Sequence, residues 1–206
     1  MHQPHISTIY RQELKGRIIN AATDLFYRNG IKSVKMDDIA GYLSISKRTL
    51  YEIYDNKEVL LFEVVKLHEE QLQERMSTLI ADGKGDVMDC LLNFYRIQMK
   101  ELASVNPAFF ADLQKYPKLL EYIMKKHERN HEQSAEFMQR GIQAGYFLPD
   151  VNYEMLHRIA EGVNKLVFDT SFYKDYPLED IFRNLIRMFL RGICTEEGIK
   201  RIDESI

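Results

Sequence analysis

Along most of the chain, apolar residues recur three and four positions apart, and no stretch sustains the period-two alternation of a half-buried strand. The pattern predicts an all-α fold. Leu14, Ile18, Ala21, Ala22, Leu25 and Phe26 mark the inner face of a first helix from about Ser7 to Tyr27. Asn29-Gly30 closes it, since glycine takes the left-handed conformation that ends a helix. A short helix is expected from about Met36 to Leu43. Ser44-Ile45 then turns the chain, and Ser46 is a natural N-cap for a second short helix ending near Tyr54.

A long helix starts near Lys57 and runs towards Ile80, with Leu60, Leu61, Val64, Leu67 and Leu72 on its buried side. Asp82-Gly83-Lys84-Gly85-Asp86 is the clearest loop. A helix from about Val87 to Val105 follows, then a break at Asn106-Pro107 and a short segment from Phe109 to Gln114. Tyr116-Pro117 breaks the chain again, with proline in the first turn of a long helix to Ala144. After the turn Gly145–Asp150 come two amphipathic helices, Asn152 to about Phe172 and Leu178 to Ile193, and a short tail helix from Glu196 to Asp203. No internal repeat or low-complexity run interrupts this order.

A length of 206 residues suits one domain or two small ones. The net charge of -3 conceals an asymmetry: residues 1–57 hold nine Lys/Arg against six Asp/Glu, so the head carries +3 and the remainder -6. A modestly basic head on an acidic body fits DNA contact through one end. Cys90 and Cys194 lie far apart in apolar helical contexts and read as buried, reduced thiols. No apolar run approaches the ~18 residues that span a bilayer, and Met1-His2-Gln3-Pro4-His5 lacks the pattern of a signal peptide. A soluble cytoplasmic protein without membrane contact is expected.

Met36 to Lys57 carries the candidate chemistry. Leu50, Ile53 and Tyr54 form the inner face of the second short helix, packing on Ile39, Ala40 and Leu43 of the first, where small Ala40 permits a close crossing. Lys47, Arg48, Thr49 and Tyr51 are left outward near its N-terminal end, the part that reaches base edges in a helix-turn-helix. Lysine or arginine donates to guanine O6 and N7, whereas threonine and tyrosine hydroxyls suit phosphate oxygens. Lys57 opens the next helix, where an ammonium and a helix N-terminus can address one phosphate together.

Gly30, Met36-x-x-Ile39-Ala40 and Ile45-Ser46-x-x-Thr49-Leu50-Tyr51-x-x-Tyr54-x-x-Lys57-Glu58-x-Leu60 together resemble the N-terminal signature of TetR-type transcriptional regulators, over roughly residues 10–60. The resemblance implies a homodimer that places its second short helices in successive major grooves of a pseudo-palindromic operator. By position, Lys47 and Arg48 would read bases. Thr49, Tyr51 and Lys57 would hold phosphates, Ser46 would cap the reading helix, and Lys35 would offer a further cation. Three positions depart from the pattern. Lys35 stands where Ser or Thr usually caps the first short helix, Ser44 where glycine is commonest, and Ile53 where Tyr or His often touches phosphate.

The head is therefore assigned to residues 1–57 and a helical effector-binding and dimerisation body to residues 58–206. The body has no phosphate-cradling loop, nucleophile elbow or zinc-protease pattern, so neither an enzyme nor a cofactor is expected. Tyr95, Met99, Phe109, Phe110, Tyr122, Met138, Phe168 and Phe172 either line an apolar pocket for a lipophilic or aromatic small molecule or fill a plain core. His127 and His131 share a helical face, but two imidazoles without a third ligand do not make a metal site.

The resemblance further implies that the last two long helices build the homodimer. Leu156, Ile159, Val163, Leu166 and Val167 on one and Leu185, Met188 and Phe189 on the other would supply the apolar faces. The function implied is a ligand-responsive repressor released from its operator by a small molecule. The alternatives are a DNA-binding adaptor in division or chromosome organisation on the same scaffold, and an enzyme or carrier using the body.

Overall fold

In the computed structural model, which describes residues 8–81, 85–129 and 131–205, the helical period is realised along nearly the whole chain. The helices are α1 (Thr8–Asn29), α2 (Met36–Tyr42), α3 (Lys47–Tyr51), α4 (Lys57–Ala81), α5 (Val87–Ser104) and α6 (Pro107–Leu113). They continue as α7 (Pro117–Arg129), α8 (His131–Gln143), α9 (Tyr153–Asp169), α10 (Leu178–Ile193) and α11 (Glu196–Ser205), with a 3-10 turn at Phe172–Lys174.

Side-chain caps fix several boundaries. The Asp86 carboxylate accepts from the Met88 and Asp89 amides at 2.9 and 3.0 Å, and Asp89 accepts in return from the Asp86 amide at 3.0 Å. This reciprocal box starts α5. Asn106 accepts from the Ala108 amide at 2.9 Å, and Pro107 supplies a preset φ for the first turn of α6. The long helix expected from Pro117 is helical on both sides of Asn130, which lies outside the described residues. One expectation changes: α9 ends at Asp169, because Ser171 adopts φ 58° and diverts the chain into the 3-10 turn. Loop positions 82–84 and the side chains of His127 and His131 lie outside the described residues.

One apolar core ties the head to the body. Leu14, Ile18 and Phe26 of α1, Ile39 of α2, Leu50 of α3 and Leu60 and Leu61 of α4 are essentially without solvent contact. Val105, Phe109 and Leu119 belong to the same cluster. Each such side chain stabilises the fold by about 1.5–3 kcal/mol relative to exposure. The core therefore runs past residue 57 without interruption. A second core joins Val87, Met88 and Leu92 of α5 to Phe137, Phe147, Leu190 and Ile202, and a third gathers Val167, Leu178 and Ile181 around Phe168.

Charged contacts clasp the end remote from the head. The Arg201 guanidinium donates to Asp86 at 3.0 Å and Asp89 at 2.7 Å, and the Tyr146 hydroxyl donates to Asp86 at 2.7 Å. Cys90 and Cys194 are both buried and free, and burial pushes the Cys194 thiol up to about 11.

Candidate nucleic-acid interface

The link between α2 and α3 is four residues long, and its geometry follows from three backbone bonds. The amides of Leu43, Ser44 and Ile45 donate to the carbonyls of Ile39, Gly41 and Ala40 at 3.1, 3.1 and 3.0 Å. Such a turn needs one residue in the left-handed region. Ser44 occupies it with φ 54°, a conformation that disfavours a Cβ.

Ser46 caps α3 as expected, its hydroxyl accepting from the Thr49 amide at 3.0 Å. The Ser46 and Thr49 hydroxyls are also bonded to each other at 2.8 Å. Five residues form α3, and the chain turns on through Ile53, whose amide reaches the Leu50 carbonyl at 3.1 Å. Leu50 is 0% exposed and anchors the helix, while Tyr51 is 47% exposed on its outer side. Tyr54 packs beneath, where burial, then the Glu63 charge, pushes its hydroxyl up to about 12. At Lys35, which has no acceptor to offer α2, the cap runs one way only. Its backbone amide donates to the Asp38 carboxylate at 2.7 Å.

Both outward cations have carboxylate partners within the head. The Lys47 ammonium donates to Asp37, an arrangement that raises its affinity for the proton, and Arg48 Nε donates to Glu52 at 2.9 Å. These pairs are exposed, so each is weak and exchangeable for a phosphate or a base edge. Lys57 is placed differently. Its ammonium donates to the carbonyls of Ile31 and Val34, each at 2.9 Å, bracing the loop before α2. Sequence periodicity gives no sign of this, because the partners lie more than twenty residues away and are backbone atoms.

The head meets the body along α6. Gly30 ends α1 with φ 80°, and an added Cβ there would lie 2.9 Å from the Ala108 Cβ. The Asn106 amide donates to the Tyr27 carbonyl at 2.7 Å, and the Asn106 side chain to the Arg28 carbonyl at 3.0 Å. Asp112 accepts from the Lys32 amide and the Lys115 ammonium, both at 2.7 Å. Burial works against its ionisation, but those two donors outweigh it and hold the carboxyl below its usual range. Tyr27 stacks edge-on against Phe109 at 4.8 Å, and burial, then Glu101 and Glu69, pushes its hydroxyl up to about 12.

Five members of the aromatic set singled out in the body are distributed over the three cores. Phe109, Phe110 and Tyr122 pack against the first, with Tyr122 4.8 Å from Phe62. Met138 joins the second, and Phe168 the third, where it stacks on Phe110 at 5.9 Å. Tyr95 and Met99 are buried on α5, whereas Phe172 is 43% exposed against Tyr176. An open cleft of about 440 Å³ between α4 and α5 is lined by Arg75, Ile97, Lys100, Glu101 and Ser104. Another, of about 450 Å³, lies where α1 ends, beside Asp38 and Asn106. No helix among the described residues is long and apolar enough to cross a membrane.

Residues 18–64 match the family model described as bacterial regulatory proteins, tetR family. The chain is 25% identical over 194 residues to the HTH-type transcriptional regulator UidR of Escherichia coli K12, covering 89% of this chain and 94% of that one. It is 20% identical over 194 residues to the HTH-type transcriptional repressor KstR2 of Mycobacterium tuberculosis, covering 90% and 94%. Among solved structures, a transcriptional regulator from Saccharomonospora viridis in complex with choline superposes with a TM-score of 0.69 at 19% identity, covering 90% of this chain and 100% of that one.

Proposed function

Because this chain is a DNA-binding transcriptional regulator of the tetR family, we propose that it represses transcription as a homodimer and leaves its operator when the body binds a small molecule. The observation that carries this reading is the exposed tip of α3, held outward from a fully buried Leu50. Lys47 and Arg48 exchange Asp37 and Glu52 for base edges. Thr49, Tyr51, Ser46 and Lys35 face phosphates. Lys57 contributes by fixing the approach to α2, with one ammonium proton left for a phosphate.

Two such tips must stand about one DNA turn apart, ~34–36 Å, to read successive grooves. The candidate dimer surface is the outer side of α9 and α10. Leu166 and Met188 are 59% and 58% exposed there, and Met155 and Ile159 are exposed on the same α9. Large exposed apolar side chains on neighbouring helices are the expected mark of a partner helix pair. Ligand binding in the body shifts the head through α6, whose Asn106 and Asp112 hold the end of α1 and the loop after it. The ligand acts only by its different affinity for the two states.

The Mycobacterium relative is a transcriptional repressor and the Escherichia coli relative a transcriptional regulator, which favours this reading over the adaptor. We assign the chain no catalysis, and action on chromosomal DNA places it in the cytoplasm. Selection of bound duplexes from a random-sequence pool tests the reading. A recovered site with two-fold symmetry and half-sites one turn apart is the expected result, and recovery of no preferred sequence would contradict it.

A further inference from the structure

Two side-chain nitrogens among the described residues are buried without a hydrogen-bond partner: the Lys126 ammonium on α7 and the Gln98 amide on α5. Both are donors. The body's unmet demand is therefore for acceptor oxygens, and at Lys126 for negative charge. An enclosed ammonium without a partner forgoes the hydrogen bonds that water would give it, so its retention needs a reason.

Position gives that reason. Leu119 and Tyr122 share the inner face of α7 with Lys126, at seven and four residues' remove, and Leu119 belongs to the first core. Tyr122 rests on Phe62 of α4. The neighbouring lysine meets the opposite fate: Lys125 is exposed and donates to Glu121 at 2.6 Å. Gln98 in turn follows Ile97 and stands one turn from Glu101, both of which line the open cleft between α4 and α5. Both orphans thus lie on body helices, and Lys126 shares its face of α7 with apolar and aromatic side chains.

We propose that the effector is a lipophilic anion, with a carboxylate, sulfonate or phosphate received by Lys126 and an apolar or aromatic remainder held by the side chains around it. This rests on the reading of the body as a sensor and narrows its ligand class. Gln98 offers a second donor to the same kind of oxygen. A cationic ligand would meet an unpaired ammonium and be excluded by like charge.

Two fluorescent probes of nearly identical ring system separate the charge from the apolar contact: 1-anilinonaphthalene-8-sulfonate, an anion, and N-phenyl-1-naphthylamine, which lacks the sulfonate. The intact protein is expected to bind the anion about tenfold or more tightly than the neutral probe, the scale of one charge-assisted bond. Lys126→Met, which keeps the apolar stem, should lose that preference while still binding the neutral probe, and Lys126→Arg should keep it. Equal affinity of wild type for both probes, or an unchanged preference in Lys126→Met, overturns the proposal but leaves the sensor reading standing. Loss of both probes in a Lys126→Met protein with wild-type helicity and melting overturns the charge assignment as well. Binding of neither probe by wild type contradicts both readings.

Discussion

The Lys57 ammonium donates to the Ile31 carbonyl at 2.9 Å and makes an equal bond to Val34, so the first residue of α4 holds the loop that delivers α2. A group proposed to meet a phosphate is thereby also a brace. Lys57→Met is expected to cost about 1.5–3 kcal/mol of stability, the scale of hydrogen bonds to a charged group. For a chain of this size that lowers the melting temperature by several degrees, which thermal denaturation followed by circular dichroism measures. An unchanged melt would show that the two bonds do not brace the head.

Asp112 gives the seam between head and body a pH dependence. Its folded-state carboxyl sits below the ordinary 3.8 because the Lys115 and Lys32 donors outweigh its burial. Its contribution is therefore complete above the ordinary carboxylate range and is lost as pH falls through the depressed folded-state value. Urea titrations at neutral pH should find Asp112→Asn less stable than wild type by about 1–3 kcal/mol. The gap should narrow as the solution is acidified below that range. A gap constant with pH would contradict this account.

Gly30 and Ser44 make a pair of opposite sign. Gly30→Ala puts a Cβ at φ 80° and 2.9 Å from Ala108, and should destabilise by more than about 1 kcal/mol. Ser44→Gly relieves a Cβ at φ 54° and should stabilise by about 0.5–1 kcal/mol, after the greater freedom of glycine in the unfolded chain is set against it. Equilibrium unfolding of the two variants in parallel reads both signs.

The dimer surface is tested by charge. Leu166→Glu on α9 or Met188→Glu on α10 places a carboxylate where an apolar side chain is now more than half exposed. Each should leave the monomer's fold intact and shift sedimentation from dimer to monomer. A dimer that persists in both variants would move the interface elsewhere.

Helix order was legible because the chain marks its breaks with Asn29-Gly30, Asn106-Pro107 and Tyr116-Pro117 and caps with Ser46. The tip of α3 was legible for the same reason: Leu50 inward and Lys47, Arg48 and Tyr51 outward follow from helical spacing. What spacing cannot carry is contact between distant segments. Of the eight aromatic and methionine side chains read as one set, five are spread over three cores and Phe172 is exposed, because periodicity gives a face and not the partner of that face. Asp112 bonds an amide eighty positions away. Lys125 and Lys126 look alike in the sequence, yet only the packing of α7 separates the paired one from the orphan.

Binding of DNA by the α3 tip is the central claim, and comparative titration tests it most directly. Fluorescence anisotropy would follow wild type, Tyr51→Ala and Arg48→Ala on a selected operator and on a mixed-sequence duplex at one fixed salt concentration. Wild type is expected to favour the operator by at least ~10³. Tyr51→Ala should weaken both complexes by a similar factor, and Arg48→Ala should mainly collapse the ratio between them. Wild-type affinity and ratio retained by both variants would contradict the assignment of α3 as the reading helix.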